Sequence, residues 1–411
     1  MTASGSELET LLSEDRSAVM ARERAAADLL GGASGRPVVL FGAGGLGRRT
    51  LAGLREIGIE CLAFSDNASS RWGSTVDGLP LLSPTDAAAQ FGASAVFIVT
   101  IWHTGGGHRF PHTQQQLRAL GCASVISFVP LFWSFPDRFL PYLTIDLPHH
   151  ILDAADSVRR TMGLWADDAS RREYVAQLRW RLWADFDGLS LPVSHEQYFA
   201  PDLFAMTEED VIADCGAFDG DTVRCVVERV RLPFRQIHAF EPDPASFAAL
   251  KQYVASLAPS TRDRIVLHDL AVSSHWETAS FEASGSFASS LSAAGTVQVV
   301  CAPLDDVLAD SPPTFIKMDV EGAELAALRG TTRFIRTRRP ILAVASYHRQ
   351  SHLWAVPLLI SSAADAYCYF LRPHQLEGYE LVCYAVPSER LLPAATSSAA
   401  PSAIRRRPMA G

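Results

Sequence analysis

The sequence predicts an α/β protein with two Rossmann-like domains, in which parallel strands alternate with helices. The chain has 411 residues, which is long for one core, since a domain usually takes about 100–200 residues. Two separate stretches alternate short apolar runs with helix-like segments, the pattern of a parallel sheet. In each stretch the first apolar run leads into a glycine-containing turn, GAGGLG at 42–47 and DCGAFDGDT at 214–222.

The composition fits a soluble globular protein and argues against several partners. Hydrophobic residues make up 48% and charged residues 20% of the chain. The net charge of −9 disfavours nucleic acid as a partner, because phosphate binding needs an excess of Lys and Arg. The seven scattered cysteines form no C-x-x-C pair, so they predict a reducing cytoplasm rather than a disulfide framework or zinc site. We expect no signal peptide, because residues 1–30 carry acidic and basic residues throughout and lack an unbroken apolar run. We also expect no transmembrane segment, because no apolar run reaches about 18 residues.

The N-terminal part contains the first alternating stretch. Residues 7–30 carry leucines among charged residues and alanines, which predicts one amphipathic helix within an N-terminal segment at 1–35. A Rossmann-like domain is placed at 36–148, with a helix after the first strand and another near 113–120. Its four strands are predicted from the apolar runs at 37–41, 60–66, 95–101 and 123–129.

The turn at 42–47 has the dinucleotide-binding fingerprint. It follows a strand, and an acidic residue ends the next strand, where a carboxylate can bind ribose hydroxyls. The runs FSDN at 64–67 and GLPLLSP at 78–84 resemble the small Rossmann-like domains of sugar-modifying proteins, which implies a nucleotide-sugar ligand. A docking or dimerisation domain without a ligand is the alternative. The candidate residues of this second nucleotide site are Gly42, Gly44, Gly47 and Asp66.

The rest of the chain is divided into a helical connector at 149–197, a second Rossmann-like domain at 198–387 and a disordered tail at 388–411. The tail is predicted from its Ala, Ser, Pro and Arg content. Runs at 366–371 and 379–386 flank a short polar turn and predict an antiparallel pair at the sheet edge. Five further strands are predicted at 211–214, 236–241, 264–268, 314–319 and 340–347, with helices near 221–231, 244–257, 322–335 and 350–362.

The turn at 214–222 differs from a phosphate-binding turn by its acidity. Asp214, Asp219 and Asp221 crowd it, which disfavours phosphate but suits an ammonium group or hydroxyls. Glu241 ends the second strand, where a carboxylate can accept hydrogen bonds from the ribose 2′- and 3′-hydroxyls. This combination points to S-adenosylmethionine, which has a ribose and an adenine but no phosphate.

Several segments in this order resemble the FkbM-type methyltransferase family. They are EQYF at 196–199, DCGAFDGDT at 214–222, HAFEPDP at 238–244, HDLAVSS at 268–274, IKMDVEGAELAALRG at 316–330 and ELVCYAVP at 380–387. The resemblance implies a class I S-adenosylmethionine methyltransferase fold and O-methylation of a sugar, glycoconjugate or secondary metabolite. The chain departs from the pattern at Phe218, where many methyltransferases have a third Gly, and at Ser346, where a carboxylate is expected.

Candidate site residues follow from these motifs. Asp319 ends the fourth strand, at the edge where open α/β sheets bind ligands, and His348 follows the fifth strand; both are candidate catalytic residues. No metal ligands are assigned, although Asp319 and Glu321 could hold Mg²⁺. Lys317 is expected to point out of the sheet. The candidate S-adenosylmethionine-binding residues are Asp214, Gly216, Ala217, Gly220, Asp221, Thr222, Glu241, Pro242, Asp269 and Ala271.

Two other functions stay open at this point. One is an oxidoreductase or epimerase that depends on NAD(P) or a nucleotide-sugar and is centred on the turn at 42–47. The other is a non-catalytic protein that binds a nucleotide-sugar. For the methyltransferase we expect a small-molecule or glycan acceptor, with a nucleotide-sugar at the N-terminal domain; a homo-oligomer is left open.

Overall fold

The computed structural model describes residues 3–31, 35–102, 108–282, 290–291, 295 and 297–393. Two helices, α1 (Ala3–Leu12) and α2 (Arg16–Leu30), open the chain. The prediction of a single helix over 7–30 is therefore wrong. The chain breaks before Asp15, whose carboxylate caps α2 by accepting hydrogen bonds from the amides of Ser17 and Ala18.

The N-terminal sheet has six strands in the order β3-β4-β2-β1-β5-β6. Every described pair is parallel except β3 with β4, which is antiparallel. The strands are β1 (Val38–Phe41), β2 (Cys61–Ser65), β3 (Thr75–Val76), β4 (Leu79–Leu82), β5 (Val96–Val99) and β6 (Val125–Ser127). The helices of this part are α3 (Gly45–Glu56), α4 (Pro84–Phe91), α5 (Phe110–Ala119), α6 (Phe128–Ser134) and α7 (Pro136–Phe139).

The sequence predictions for this sheet are confirmed for β1, β2 and β5 but not throughout. The strand predicted at 123–129 is shorter, because Phe128 begins helix α6. An unbroken apolar run cannot by itself distinguish a buried strand from a buried helix. The hairpin β3–β4 and helix α4 were not predicted from the sequence.

Three helices lead to the C-terminal sheet: α8 (His149–Asp153), α9 (Ala155–Met162) and α10 (Asp168–Trp183). A buried polar network stiffens α10: Gln177 donates to Glu173, and Arg181 donates to Gln177 and to Thr144. Arg181 is only 2% exposed, so these acceptors replace the water that its guanidinium loses.

The C-terminal sheet has seven strands in the order β16-β17-β15-β14-β7-β8-β9, and only β17 runs antiparallel to its neighbours. The predicted antiparallel pair is thus confirmed, with β16 at the edge. A separate small sheet, β10-β13-β11-β12, was not predicted. The strands are β7 (Val211–Cys215), β8 (Gln236–Phe240), β9 (Ile265–His268), β10 (Ala271–Val272), β11 (Glu277–Glu282), β12 (Ser290–Leu291), β13 (Val297–Ala302), β14 (Phe315–Met318), β15 (Ile341–Ala345), β16 (Tyr367–Pro373) and β17 (Leu381–Pro387).

Helices cover both faces of the C-terminal sheet. A π-helical turn (Cys225–Arg229) follows α11, and the helix predicted over 322–335 is in fact two short ones. The helices are α11 (Asp221–Arg224), α12 (Pro244–Ser256), α13 (Pro259–Arg262), α14 (Leu304–Val307), α15 (Glu324–Arg329), α16 (Thr332–Thr337) and α17 (His352–Ala363). None of the helices in the described part of the chain has the length and apolar character needed to cross a membrane.

The first residues of the predicted disordered tail are packed against the sheet. Arg390 forms hydrogen bonds with both carboxylate oxygens of Asp210, and the Leu392 amide donates to the Leu203 carbonyl. The prediction of disorder is therefore wrong for residues 388–393, while 394–411 lie outside the described residues.

The two large sheets meet at the segment between β16 and β17. Trp102, just after β5, donates from its indole Nε1 to the Glu377 carbonyl at 3.1 Å. Its ring contacts Trp180 of α10 and Tyr379, with centroids 5.9 and 5.7 Å apart. The amide of Phe110 also donates to the Glu377 carboxylate. The N-terminal sheet thus holds in place a turn that belongs to the C-terminal sheet.

Replacing Trp102 with Ala should therefore destabilise the whole protein. We expect a loss of about 3–5 kcal/mol in the free energy of unfolding, as for other buried Trp-to-Ala changes, measured by urea denaturation followed by far-UV circular dichroism. Trp276→Ala is the control, because Trp276 is 54% exposed, and it should cost about 1 kcal/mol or less. Equal losses in the two variants would contradict the packing described here.

Candidate active site

A cavity of about 380 Å³ lies beyond the carboxyl ends of β7, β8, β14 and β15. This is the edge at which open α/β sheets bind ligands. Its walls come from the turn after β7, from the residues that follow β8 and β14, and from the segment between β16 and β17. The small sheet adds apolar surface through Ala271, Val272 and Phe281.

The turn after β7 is shaped by residues with positive φ. Gly216 has φ +83°, and a Cβ on it would lie 1.9 Å from the Asp319 carbonyl oxygen. Only glycine allows the ends of β7 and β14 to come so close. Phe218, at the position of the missing third Gly, adopts φ +47°, and its amide donates to Glu241 Oε2 at 2.8 Å.

Glu241 follows β8 and is 7% exposed, with its carboxylate at the cavity wall. Its Oε1 accepts from the Asp243 amide at 2.7 Å. Burial raises the pKa of Glu241 to about 7, although the two amides partly oppose the shift. This carboxyl therefore changes charge near neutral pH.

Lys317 does not point out of the sheet, so that expectation is wrong. Its side chain is 2% exposed, and its Nζ lies 3.0 Å from Asp214 Oδ1. The same ammonium donates to the Gly216 carbonyl. Burial alone would lower the pKa of Lys317, but the carboxylates of Asp214, Asp319 and Asp221 outweigh it and raise the pKa. Lys317 is therefore the buried cation of an acidic site.

Asp319 projects into the cavity from the end of β14. Its Oδ2 accepts a hydrogen bond from Tyr198 at 2.8 Å, and Tyr347 lies 3.5 Å from Oδ1. The Asp319 amide donates to the Cys215 carbonyl on β7. These contacts fix the carboxylate while leaving 22% of the side chain accessible from the cavity.

His348 lies beside Asp319 but is surrounded by carboxylates. Its Nδ1 is 2.7 Å from Glu324 Oε1, and its Nε2 is 3.4 Å from both Asp319 Oδ1 and Glu321 Oε2. Burial would lower the pKa of His348, but Glu324 and Glu321 outweigh it and raise the pKa to about 10. The imidazole is therefore charged at neutral pH and lacks the free lone pair that a general base needs.

A further part of the cavity wall comes from Tyr379 and Glu380. Burial raises the pKa of Glu380 to about 7, and Asp319 adds to the shift. The ring of Tyr379 lies 4.8 Å from that of Tyr347. Both wall residues belong to the turn that Trp102 and Phe110 hold, so the N-terminal sheet positions one side of the cavity.

The predicted cofactor residues fall into two groups. Among the described residues, those that line the cavity are Gly216, Asp221, Glu241, Pro242 and Ala271, whereas Asp214, Ala217, Gly220, Thr222 and Asp269 lie behind or beside it. The sequence reasoning missed Lys317 and the tyrosines. Tyr198 stands in the EQYF segment, and Tyr379 directly precedes ELVCYAVP, so both could have been found from their neighbourhood.

The turn of the N-terminal sheet has a related geometry. Gly42 has φ +111°, and a Cβ on Gly47 would lie 2.0 Å from the Gly42 carbonyl oxygen. Asp66 accepts from the amides of Ala43 and Ala68, much as Glu241 does in the other sheet. A Cβ on Gly44 would meet no atom within 4 Å, so there is open space beside this turn. Whether a nucleotide binds here stays a prediction.

Known proteins share parts of this sequence and of this fold. Residues 214–379 match the family model of the methyltransferase FkbM domain. The crystal structure of methyltransferase FkbM from Methylobacillus flagellatus KT is similar over 93% of this chain and 99% of its own, with a TM-score of 0.77 and 23% identity. An rRNA methylase from Streptococcus thermophilus matches 45% of this chain and 90% of its own at 10% identity, with a TM-score of only 0.27. No curated protein matches the chain.

The two glycine turns offer a matched pair of substitutions. Gly216→Ala should destabilise the protein by at least about 2 kcal/mol, because the methyl group would collide with backbone at a positive φ. Gly44→Ala, at a negative φ in open space, should change the free energy of unfolding by less than about 1 kcal/mol. Chemical denaturation of both variants tests this, and a Gly216→Ala protein as stable as Gly44→Ala would refute the close approach of β7 and β14.

Proposed function

Since residues 214–379 match the family model of the methyltransferase FkbM domain, we propose that the protein transfers a methyl group from S-adenosylmethionine to a hydroxyl of a sugar, glycoconjugate or secondary metabolite. The observation that carries the proposal is the carboxylate lining of the cavity. Asp221, Glu241, Asp319, Glu321 and Glu380 all face it. Such a lining repels phosphate but accepts hydrogen bonds from an ammonium group and from hydroxyls.

The cofactor is proposed to lie across the ends of β7 and β8. Glu241 would accept from the ribose hydroxyls, as strand-end acids do in nucleotide-binding sheets. Ala271 and Leu270 offer an apolar surface for the adenine. Asp221, at the other side of the glycine turn, would face the amino acid part. Asp214 is proposed to act from behind, because its carboxylate pairs with Lys317 rather than facing the cavity.

The proposed reaction is an in-line displacement. The acceptor oxygen attacks the methyl carbon, the carbon–sulfur bond breaks with its electron pair going to sulfur, and the hydroxyl proton leaves to a base. The products are the methyl ether and S-adenosylhomocysteine. Most of the rate gain would come from alignment of oxygen, carbon and sulfur.

Asp319 is the proposed acceptor of the hydroxyl hydrogen. It is held by Tyr198 and Tyr347 yet still reaches the cavity. His348 was the other candidate from the sequence. Its carboxylate neighbours keep the imidazole protonated at neutral pH. His348 is therefore proposed to hold Asp319 in position and not to remove the proton itself.

The N-terminal sheet supports a weaker proposal, a nucleotide-sugar at Gly42, Gly44, Gly47 and Asp66. The glycine geometry and the open space favour a ligand there, but no described residue supplies hydride chemistry. A thermal-shift comparison of S-adenosylhomocysteine, NAD, NADP and nucleotide-sugars separates the functions. An oxidoreductase would respond to NAD or NADP and not to S-adenosylhomocysteine.

The affinity for S-adenosylhomocysteine should rise with pH. Burial raises the pKa of Glu241 to about 7, so the carboxyl is neutral below this pH and becomes a charged hydrogen-bond acceptor above it. Binding that favours the charged form should strengthen by about tenfold between pH 6 and 8. Calorimetry at the two pH values measures this.

Glu241→Gln should remove most of that pH dependence and weaken binding at pH 8 by about tenfold or more. Glu277→Gln is the control, because Glu277 is a half-exposed residue of β11 outside the cavity lining. If the Glu241→Gln variant binds S-adenosylhomocysteine as tightly as the wild type at both pH values, Glu241 does not bind the ribose.

Asp319→Asn should lower kcat by at least about 100-fold and change the affinity for S-adenosylmethionine little. The change removes the proton acceptor but keeps the shape, and general-base assistance is usually worth about 10²–10⁴-fold. Steady-state kinetics with the natural acceptor, alongside His348→Gln, decide between the two residues. If the Asn variant retains its kcat while the His348 variant loses it, the base is His348.

A further inference from the structure

The Nε2 atom of His348 has no hydrogen-bond partner among the described residues. This atom is buried, and the side chain as a whole is only 2% exposed. It faces Asp319 Oδ1 and Glu321 Oε2, each at 3.4 Å. A buried polar atom aimed at two carboxylates without a bond is costly unless a third group lies between them.

We propose that a divalent transition-metal cation binds among His348 Nε2, Asp319 and Glu321. The donors have the right spacing for it. Ligands at about 2.1 Å in neighbouring positions of an octahedral shell lie about 3 Å apart, close to the 3.4 Å found here. The cavity on the open side leaves room for water or a substrate oxygen in the remaining positions.

The residue behind the imidazole supports the same assignment. Glu324 is fully buried, and its Oε1 lies 2.7 Å from His348 Nδ1. Glu324 accepts a hydrogen bond from the Nδ1 proton of His348, so a cation that displaces the Nε2 proton gains a lone pair aimed at it, the usual arrangement behind a metal-binding histidine. Binding of the cation should therefore release a proton. His352 Nδ1 lies 3.1 Å from Glu324 Oε2 and so holds the other side of this carboxylate.

The carboxylates around His348 offer oxygen ligands to a cation. Asp319, Glu321 and Glu324 lie together, and donor atoms of Asp319, Glu324 and His348 fall within 4.8 Å of one another. The nearby Lys317 is bound to Asp214 and the Gly216 carbonyl. One imidazole nitrogen with two carboxylates suits Mn²⁺, Fe²⁺, Co²⁺ or Zn²⁺ better than Ca²⁺, which prefers oxygen alone.

The position of the cation would also serve the reaction. Asp319 lies at the point where the acceptor hydroxyl is proposed to bind, so a cation beside it would contact the hydroxyl oxygen and lower its pKa. This role rests on the proposed function, whereas binding of the cation does not. The two are therefore tested separately, with binding measured in the absence of both S-adenosylmethionine and acceptor.

The test is titration of the full-length protein with Mn²⁺ alone, followed by electron paramagnetic resonance and calorimetry. We expect one saturable site per chain, with Ca²⁺ competing poorly. Glu321→Gln should weaken Mn²⁺ binding by about tenfold or more, and Glu324→Gln by about 10–100-fold through the orientation of His348. Glu277→Gln, on β11 and outside the cavity lining, is the control and should bind Mn²⁺ as the wild type does.

Each outcome decides the proposal. Absence of saturable Mn²⁺, Co²⁺ or Zn²⁺ binding by the wild type overturns it, as does equal affinity in the Glu321 and Glu277 variants. His348→Gln should abolish binding; if that variant fails to fold, Glu321→Gln decides, because Glu321 is partly exposed and its change leaves the core intact. A wild-type protein that binds Mn²⁺ but transfers no methyl group from S-adenosylmethionine would instead overturn the proposed function.

Discussion

The buried ammonium of Lys317 is the interaction on which the C-terminal sheet depends. Three aspartates, Asp214, Asp221 and Asp319, come together where β7 and β14 end, and two parallel strands could not bring so many carboxylates together without a cation. Lys317 lies directly opposite Asp214 in the register of these strands and binds the Gly216 carbonyl from within the core. Removing one partner of such a buried pair usually costs about 3–5 kcal/mol, so the acidic turn and the core lysine stabilise each other.

The close approach of β7 and β14 sets the rest of the geometry. Gly216 lets the Asp319 carbonyl lie against the turn, and Asp319 is then fixed by its own amide and by Tyr198. Glu321 and Gly322, both with positive φ, turn the chain so that Glu324 can reach His348. One buried cation and one missing Cβ thus place the residues proposed to bind cofactor, acceptor and metal.

The sequence predicted the residues at the strand ends well, because the rule that ligands bind beyond the carboxyl ends of parallel strands needs only strand positions. It located Asp214, Glu241, Asp319 and His348 at one edge, and the family resemblance is confirmed for residues 214–379. The partners of these side chains were beyond its reach. Lys317 is far from Asp214 along the chain, and only the strand register shows that they pair.

Other misses have the same kind of cause. The apolar run at 123–129 satisfies both a strand and a buried helix, and tertiary packing makes its last two residues the start of α6. The single helix predicted at 7–30 ends early because Asp15 offers its carboxylate to two free amides, a local competition that periodicity does not record. The role of Glu377 depends on Trp102, 275 residues away along the chain, and no local pattern announces it.

The contact between Trp102 and Glu377 links the packing of the two sheets to the shape of the cavity. Glu377 has φ +59° and a buried carboxylate whose pKa burial raises to about 7, so the turn between β16 and β17 is held in a conformation that it would not favour alone. The bonds from Trp102 and Phe110 offset this cost. Because the same turn carries Tyr379 and Glu380, the wall of the cavity is complete only when the N-terminal sheet is packed against it. The end of β5, which supplies Trp102, is also the edge at which open α/β sheets bind ligands, so one part of the cavity wall is held from that edge of the N-terminal sheet.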